Sequence, residues 1–249
     1  MVGYEELERT LTELLRMEEF PVGWKFVEDE SELSEMLRPK KKVYSCQMMK
    51  IASQGGFVLA ATDKELACRH ERLAFDMEPL EDTYVQSIQM RYVKDKEVAK
   101  KWLLEMRPTL KKRRRGIIVG PLSKVPFTPD IIILTVNAWQ ATRCIHAYAY
   151  HDGENLNFMM GLGALPCAYG AVYVYNTGKP NLVTACSGAR EWGKFERNDL
   201  SFFMPFKDAN RFVEGLKATH GKGLRVPMFL DLGYPPKPAR AVFENDKGK

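Results

Sequence analysis

The five cysteines, Cys46, Cys68, Cys144, Cys167 and Cys186, carry the most chemical potential in this chain. A thiolate is both a strong nucleophile and the preferred ligand of soft metals. Cys46 and Cys68 lie 22 residues apart and Cys167 and Cys186 lie 19 apart, with no C-x-x-C pair anywhere. The spacings of zinc ribbons and ferredoxin-type clusters are therefore absent. Spacing alone gives equal standing to a plain alternative, in which all five are small buried apolar residues.

Local context separates the five. Cys144 sits among Ile145, Ala147 and Tyr148 and reads as packing. Cys186 begins Cys186-Ser-Gly-Ala-Arg190 directly after the apolar run Leu182–Ala185, a strand end where loop amides converge. Arg190 beside it is expected to favour the thiolate, and Cys68-Arg69-His70 repeats that association of thiol and cation. Cys167 follows Gly161-Leu-Gly163 and Pro166, a sequence suited to a helix N-terminus. Cys46 precedes a helical run. Of the four histidines, only His70 adjoins such a pair, as a base or ligand. Candidate catalytic residues are thus Cys186, Arg190 and His70.

Other chemistries lack their motifs. H-E-x-x-H, G-x-x-x-x-G-K-[ST], a complete G-x-G-x-x-G and G-x-S-x-G are all missing. The net charge of +5 traces to one run, Lys111-Lys-Arg-Arg-Arg115, without which basic and acidic residues balance. That run has no flanking aromatic and leads into an apolar strand, so it reads as a solvated loop, and nucleic acid is not an expected partner. No stretch approaches the roughly 18–20 apolar residues of a membrane span. Met1–Arg16 is rich in Glu and unlike a signal peptide, so the expected compartment is the cytoplasm, with its cysteines reduced.

The elements that must position these residues follow from hydrophobic periodicity. Helices are expected over 4–17, 31–37, 44–53, 65–75, 137–150, 164–175 and 208–220. Strands are expected over 21–27, 57–61, 116–119, 130–136, 156–160, 182–186 and 201–204. The unbroken runs Gly116–Val119 and Asp130–Val136 predict strands covered on both faces. The expected fold is α/β: one mixed-sheet domain over 1–234 with helices covering both faces of the central strands. Residues 235–249, with Pro-Pro-Lys-Pro and a charged end, read as a flexible tail.

Several of these residues also fall into a familiar order. Cys46-Gln47 with Ala52 and Gly55, Cys68, Pro121-Leu122, Pro129-Asp130, Asn137 with Gln140, Cys167, Cys186-x-Gly188-x-Arg190 and Pro205 resemble the bacterial and archaeal family called domain of unknown function 169. The resemblance runs from about Leu11 to Leu216. It implies that Cys46, Cys68, Cys167 and Cys186 occupy family cysteine positions and that Cys144 does not. Four such thiols suit one shared metal site, and an iron–sulfur cluster held by three or four of them is the leading expectation. With three ligands, the open iron position could take a substrate atom, oriented by His70 or Arg190.

That reading makes the chain a cytosolic redox protein or enzyme with a small-molecule substrate or an electron-transfer partner. Two others stay open: a metal-free thiolate enzyme using Cys186 or Cys68, and a non-catalytic binding module with a pocket near Asn137, Gln140 and Arg190. Homo-oligomerisation is open too, since Met48, Met49, Met159 and Met160 suit an interface as well as a core.

Overall fold

A computed structural model describes residues 3–33 and 36–226. The expectation for 235–249 lies outside the described residues.

Leu7, Leu11 and Leu15 form one apolar stripe, and the helix they define, α1, spans Tyr4–Leu15. After β1 (Val22–Val27), α2 runs from Ser45 to Gly55 and stops where Gly56 adopts φ +73°, a left-handed conformation that glycine takes without a Cβ clash. There follow β2 (Leu59–Thr62), α3 (Arg69–Ala74), α4 (Asp82–Tyr92) and α5 (Lys96–Lys101). The last continues as a π-helix over Trp102–Met106. Next come β3 (Gly116–Pro121), β4 (Ile131–Val136) and α6 (Ala138–Ala149). A second π-helix covers Leu165–Val172 and leads into α7 (Tyr173–Thr177). The fold closes with β5 (Asn181–Thr184), α8 (Ser187–Glu191), β6 (Leu200–Pro205) and α9 (Ala209–Gly221).

The six strands form one sheet in the order β2-β3-β1-β4-β6-β5. Strand alternation divides the core in two. Trp24, Phe26, Ile131, Ile133 and Phe203 face α2, α3, α4 and both π-helices. Ile132, Leu134, Phe202 and Met204 face α1, α6 and α9. The expected single α/β domain with both sheet faces covered is the one observed. Strand direction differs from the mixed sheet expected: all five strand pairings are antiparallel.

Three local differences have physical causes. Residues 156–160 are not a strand, because the backbone of Met159 is paired with a side chain: its N–H donates to Asn181 Oδ1 and its carbonyl accepts from Asn181 Nδ2, both at 2.8 Å. The helix expected over 65–75 begins only at Arg69, since Val43 and Glu65–Ala67 pair through their backbones. In the basic run, Arg114 is buried and not solvated. It donates to Glu28 at 2.5 Å and to the Tyr175 hydroxyl at 2.8 Å.

Candidate functional site

Four of the five cysteines come together. Cys46, Cys68, Cys167 and Cys186 line one cavity of about 40 Å³, with His70 and Glu71 also on its wall. Each cysteine opens a helical segment. Cys46 is the second residue of α2, Cys68 and Cys186 cap α3 and α8, and Cys167 is third in the π-helix Leu165–Val172. The bend that starts this π-helix is made by Ala164 at φ +58°, a conformation rare for a residue with a side chain. π-Helices are uncommon and recur at functional sites. Cys144 is fully buried on the other sheet face, as expected of a packing residue.

Glu71 holds two of these cysteine-bearing turns in place. Its Oε2 accepts from the backbone N–H of Ser45 at 2.8 Å and its Oε1 from that of Cys68 at 3.1 Å. Burial raises its carboxyl to about 7, although those hydrogen bonds and Arg72 act in the opposite direction. This residue was not singled out from sequence. Its position three after a helix-opening residue is the signal that could have found it.

The environment of Cys46, Cys68 and Cys167 favours their protonated form. Burial comes first, then the charges of Glu71 and neighbouring cysteines, pushing Cys68 up to about 12 and raising Cys46 well above the ordinary thiol range. Cys167 is likewise raised well above it, by burial and then by Cys68, Glu71, Cys186 and Cys46. The cation next to Cys68 in sequence does not offset these effects. Arg69 is instead committed to Glu78 and Glu81, and His70 is neutral. Burial, Arg107 and Arg91 lower the imidazole to about 4.

Arg190 is not on the cavity wall: its Nε donates to the Ala185 carbonyl at 3.1 Å, securing the end of β5. Asn137 and Gln140 have structural hydrogen bonds of their own. They make a reciprocal cap on α6, and Gln140 also donates to the carbonyls of Leu15 and Arg16.

The cavity adjoins a groove of about 430 Å³, and Tyr44, Cys68, His70, Tyr92, Ser187 and Gly188 belong to both. Tyr44 and Trp192 stack at one side of the groove, ring centroids 5.5 Å apart and planes within 5°. Arg69, Tyr84 and Arg91 line the other parts. Chemically, the donor set suits a thiophilic metal centre, with room beside it for a small molecule. Among the described residues, no three His, Cys, Asp or Glu side chains already stand at metal-coordinating separations. All five cysteines are free thiols.

Fold and site together define an α/β protein with a convergent four-cysteine cavity on one sheet face. The chain belongs to the DUF169 family, described as uncharacterised ArCR, whose profile matches residues 10–215. It is similar to an uncharacterized protein of Methanocaldococcus jannaschii, MJ0308, with 25% identity over 210 residues, covering 80% of this chain and 82% of the relative. No solved structure matches. No helix among the described residues is long and apolar enough to cross a membrane.

Proposed function

We propose that this protein is a cysteine-ligated cofactor-binding protein of the reducing cytoplasm. In this reading Cys46, Cys68, Cys167 and Cys186 hold an iron–sulfur cluster that serves redox chemistry on a small molecule. The observation that carries the reading is the convergence of four helix-opening cysteines, drawn from four separate elements, on one cavity. A bound cluster would supply electron transfer and, with three thiolate ligands, a Lewis-acidic iron position.

The residues of the chain have distinct parts in this reading. Glu71 fixes the turns that carry Cys46 and Cys68. The groove admits the small molecule; its volume of about 430 Å³ lies within the range of small-molecule sites, roughly 300–1,000 Å³. His70, on both walls, contacts that molecule as a neutral imidazole.

The protonation of the thiols bears on the rival readings. A nucleophilic cysteine needs a depressed pKa, and Cys46, Cys68 and Cys167 have raised ones. A thiophilic cation reverses this, because coordination deprotonates the thiol outright. One observation favours a second occupant. The cavity holds about 40 Å³, room for a few waters when one water needs about 10–15 Å³, and this is nearer the size of a single zinc or copper(I) ion, toward which the thiols would have to close. A cluster needs the partly exposed Cys68 and Cys186 to move outward on their short helices.

Anaerobic purification, reconstitution with iron and sulfide, and metal analysis test the proposal. The expected result is stoichiometric iron and sulfide, lost in Cys46→Ser, Cys68→Ser, Cys167→Ser and Cys186→Ser. Stoichiometric zinc or copper(I) with no iron selects the second reading. A reconstituted protein free of all three metals overturns both.

A further inference from the structure

Two basic runs, Arg38-Pro-Lys-Lys-Lys42 and Lys111-Lys-Arg-Arg-Arg115, are far apart in sequence and neighbours in the fold. The edge strand β2 and the turn after it lie between them. On one side, residues 37–43 run beside 59–66, with parallel bridges at Leu37–Leu59 and Val43–Leu66. The Val43 N–H donates to the Glu65 carbonyl at 2.9 Å, and the Ala67 N–H to that of Val43 at 2.8 Å. On the other side, Thr62 pairs with Gly116, and Arg113 Nη2 lies 3.5 Å from Asp63 Oδ2.

Segments 38–42, 62–65 and 111–115 hold ten basic residues and two acidic ones. The whole chain carries only +5, so the remainder of it is net acidic. Both carboxylates within the patch are paired, Glu65 with Arg38 at 2.6 Å and Asp63 with Arg113. Arg114 turns inward to Glu28, and Glu32 nearby is held by Lys25. Lys40, Lys41, Lys42, Lys64, Lys111 and Lys112 are exposed, and among the described residues none has an ion-pair partner. Like charges gathered in this way repel one another, and an acidic partner relieves that repulsion.

The patch is continuous with the four-cysteine site. The paired segments that present Lys42 and Lys64 go on to deliver Cys46 and Cys68, each four residues later, to the cavity wall. A chain spans at most about 3.6 Å per residue, so each lysine Cα lies within about 14 Å of the following cysteine Cα.

The chemistry of the patch favours a protein over nucleic acid. None of the three segments contains Phe, Tyr, Trp or His, so no platform is present on which bases could stack. Its uncommitted cations are mostly lysines, flexible point charges, whereas bidentate phosphate recognition favours arginine. Leu37, 56% exposed at the border, offers the small apolar contact of a transient protein interface.

We propose that this surface docks the acidic face of a small electron-carrier protein, which exchanges electrons with the four-cysteine centre. The inference rests on the redox reading above. The exchange is outer-sphere: one electron passes between the carrier's own cofactor and the centre, one being oxidised as the other is reduced, and no bond forms or breaks. Electrostatic steering gives such an encounter a fast on-rate and a strong dependence on salt, over a small buried area.

The test uses the full chain, purified anaerobically and free of metal, with an acidic two-iron ferredoxin immobilised for surface plasmon resonance as the probe. The wild type is expected to bind at low salt and to weaken steeply between about 20 and 200 mM NaCl. Two charge reversals probe the patch separately: Lys40→Glu with Lys41→Glu and Lys42→Glu, and Lys111→Glu with Lys112→Glu. Each should weaken binding by about tenfold or more. Lys179→Glu with Lys217→Glu is the control, two exposed lysines, one beside the opposite sheet edge at β5 and one on α9. It should bind as the wild type does.

Equal losses in the patch and control variants, or no loss in either patch variant, overturn the inference. Binding of poly(U) that is tighter than binding of ferredoxin and is lost in the same variants also overturns it, in favour of nucleic acid. If the 40–42 variant does not fold, the Lys111–Lys112 variant decides. Iron and sulfide reconstitution separates this inference from the reading it rests on. A chain that takes up no iron yet docks ferredoxin through these lysines overturns the cluster and keeps the surface. An iron-loaded chain whose ferredoxin binding ignores both patch variants does the reverse.

Discussion

The carboxylate of Glu71 lies 2.8 Å from the backbone nitrogen of Ser45, a residue 26 positions earlier, and its other oxygen takes the amide of Cys68. One buried side chain therefore fixes the spacing between the turns that carry Cys46 and Cys68. Glu71→Ala leaves two buried amides unsatisfied, each costing about 1–3 kcal/mol. We expect a large loss of stability in urea unfolding, and impaired metal uptake even where the fold survives at low temperature. Glu71→Gln retains one acceptor and should show about half the destabilisation. Equal effects of the two variants would contradict this account.

The protonated thiols make a second expectation. Alkylation proceeds through the thiolate, so Cys46, Cys68 and Cys167 of the metal-free protein should react slowly with iodoacetamide at pH 7–8. Rates should rise with pH past 9, an ordinary thiol range, and Cys68 should not level off below about 12. Mass-spectrometric mapping of labelled peptides checks this. Rapid labelling of Cys68 at neutral pH would restore the metal-free thiolate enzyme as the better reading.

Much of the site was legible before the fold was known, and the part that was not has definite reasons. Turn-forming neighbours marked Cys167 as a helix opener, the apolar run before Cys186 marked it as following a strand, and apolar neighbours marked Cys144 as packing; all three placements are observed. The sheet was legible because β3 and β4 are unbroken β-branched runs. Adjacency in sequence says nothing of direction: Arg190 is off the cavity wall, with its Nε donating to the Ala185 carbonyl. Helix α4 gave little signal, since only Tyr84, Val85 and Ile88 of its eleven residues are buried. Glu71 was invisible for a different reason. Its role depends on a partner 26 residues away, and that property does not exist in a linear pattern.

Lys50 supplies the third expectation. It is 4% exposed, bridges Glu19 at 2.5 Å and Asp199 at 3.0 Å, and ties α2 to the segments preceding β1 and β6. Burial by itself would raise the Glu19 carboxyl, but Lys50, Ser53 and Gln54 outweigh it and hold it below the usual carboxylate range. A carboxyl lowered in the folded state stabilises the fold above its unfolded value, near pH 4.3, and that stability is lost as pH falls through the folded value. Lys50→Met leaves two partly buried carboxylates without their cation and should cost about 1–3 kcal/mol at pH 7. The variant should also lose part of the acid-side decline, narrowing its gap to wild type below pH 4. Parallel stability profiles for the two proteins from pH 7 to pH 3 would refute the coupling.

Cys144 offers a fourth, as the internal control for the site. It is fully buried between α6 and the second core. Cys144→Ala should therefore cost about 1 kcal/mol, as a typical core truncation does, while metal stoichiometry stays at the wild-type value. Loss of bound metal in this variant, with the fold intact, would mean that the partition of four ligands and one packing thiol is wrong.

The last expectation concerns the support beneath Cys167. Gly170 lies one turn further along the same π-helix, and a Cβ there would come within 2.4 Å of the Phe203 ring on β6. That ring is fully buried in the sheet and has no room to retreat. Gly170→Ala must then lift the π-helix from the sheet, at about 1–3 kcal/mol for overpacking, and the lift displaces Cys167 relative to the other three cysteines. Gly221→Ala is the matched control: a Cβ there meets nothing within 4 Å, at the end of α9 and on the far face. It should be neutral or stabilising by about 0.4–1 kcal/mol, through a smaller unfolded-state entropy. Unfolding curves give the stabilities and Cd²⁺ titration gives the site. Metal affinity should fall in Gly170→Ala alone, and by more than its residual unfolded fraction explains. An affinity loss that merely tracks that fraction would detach Cys167 from the ligand set, leaving Cys46, Cys68 and Cys186 to hold the centre.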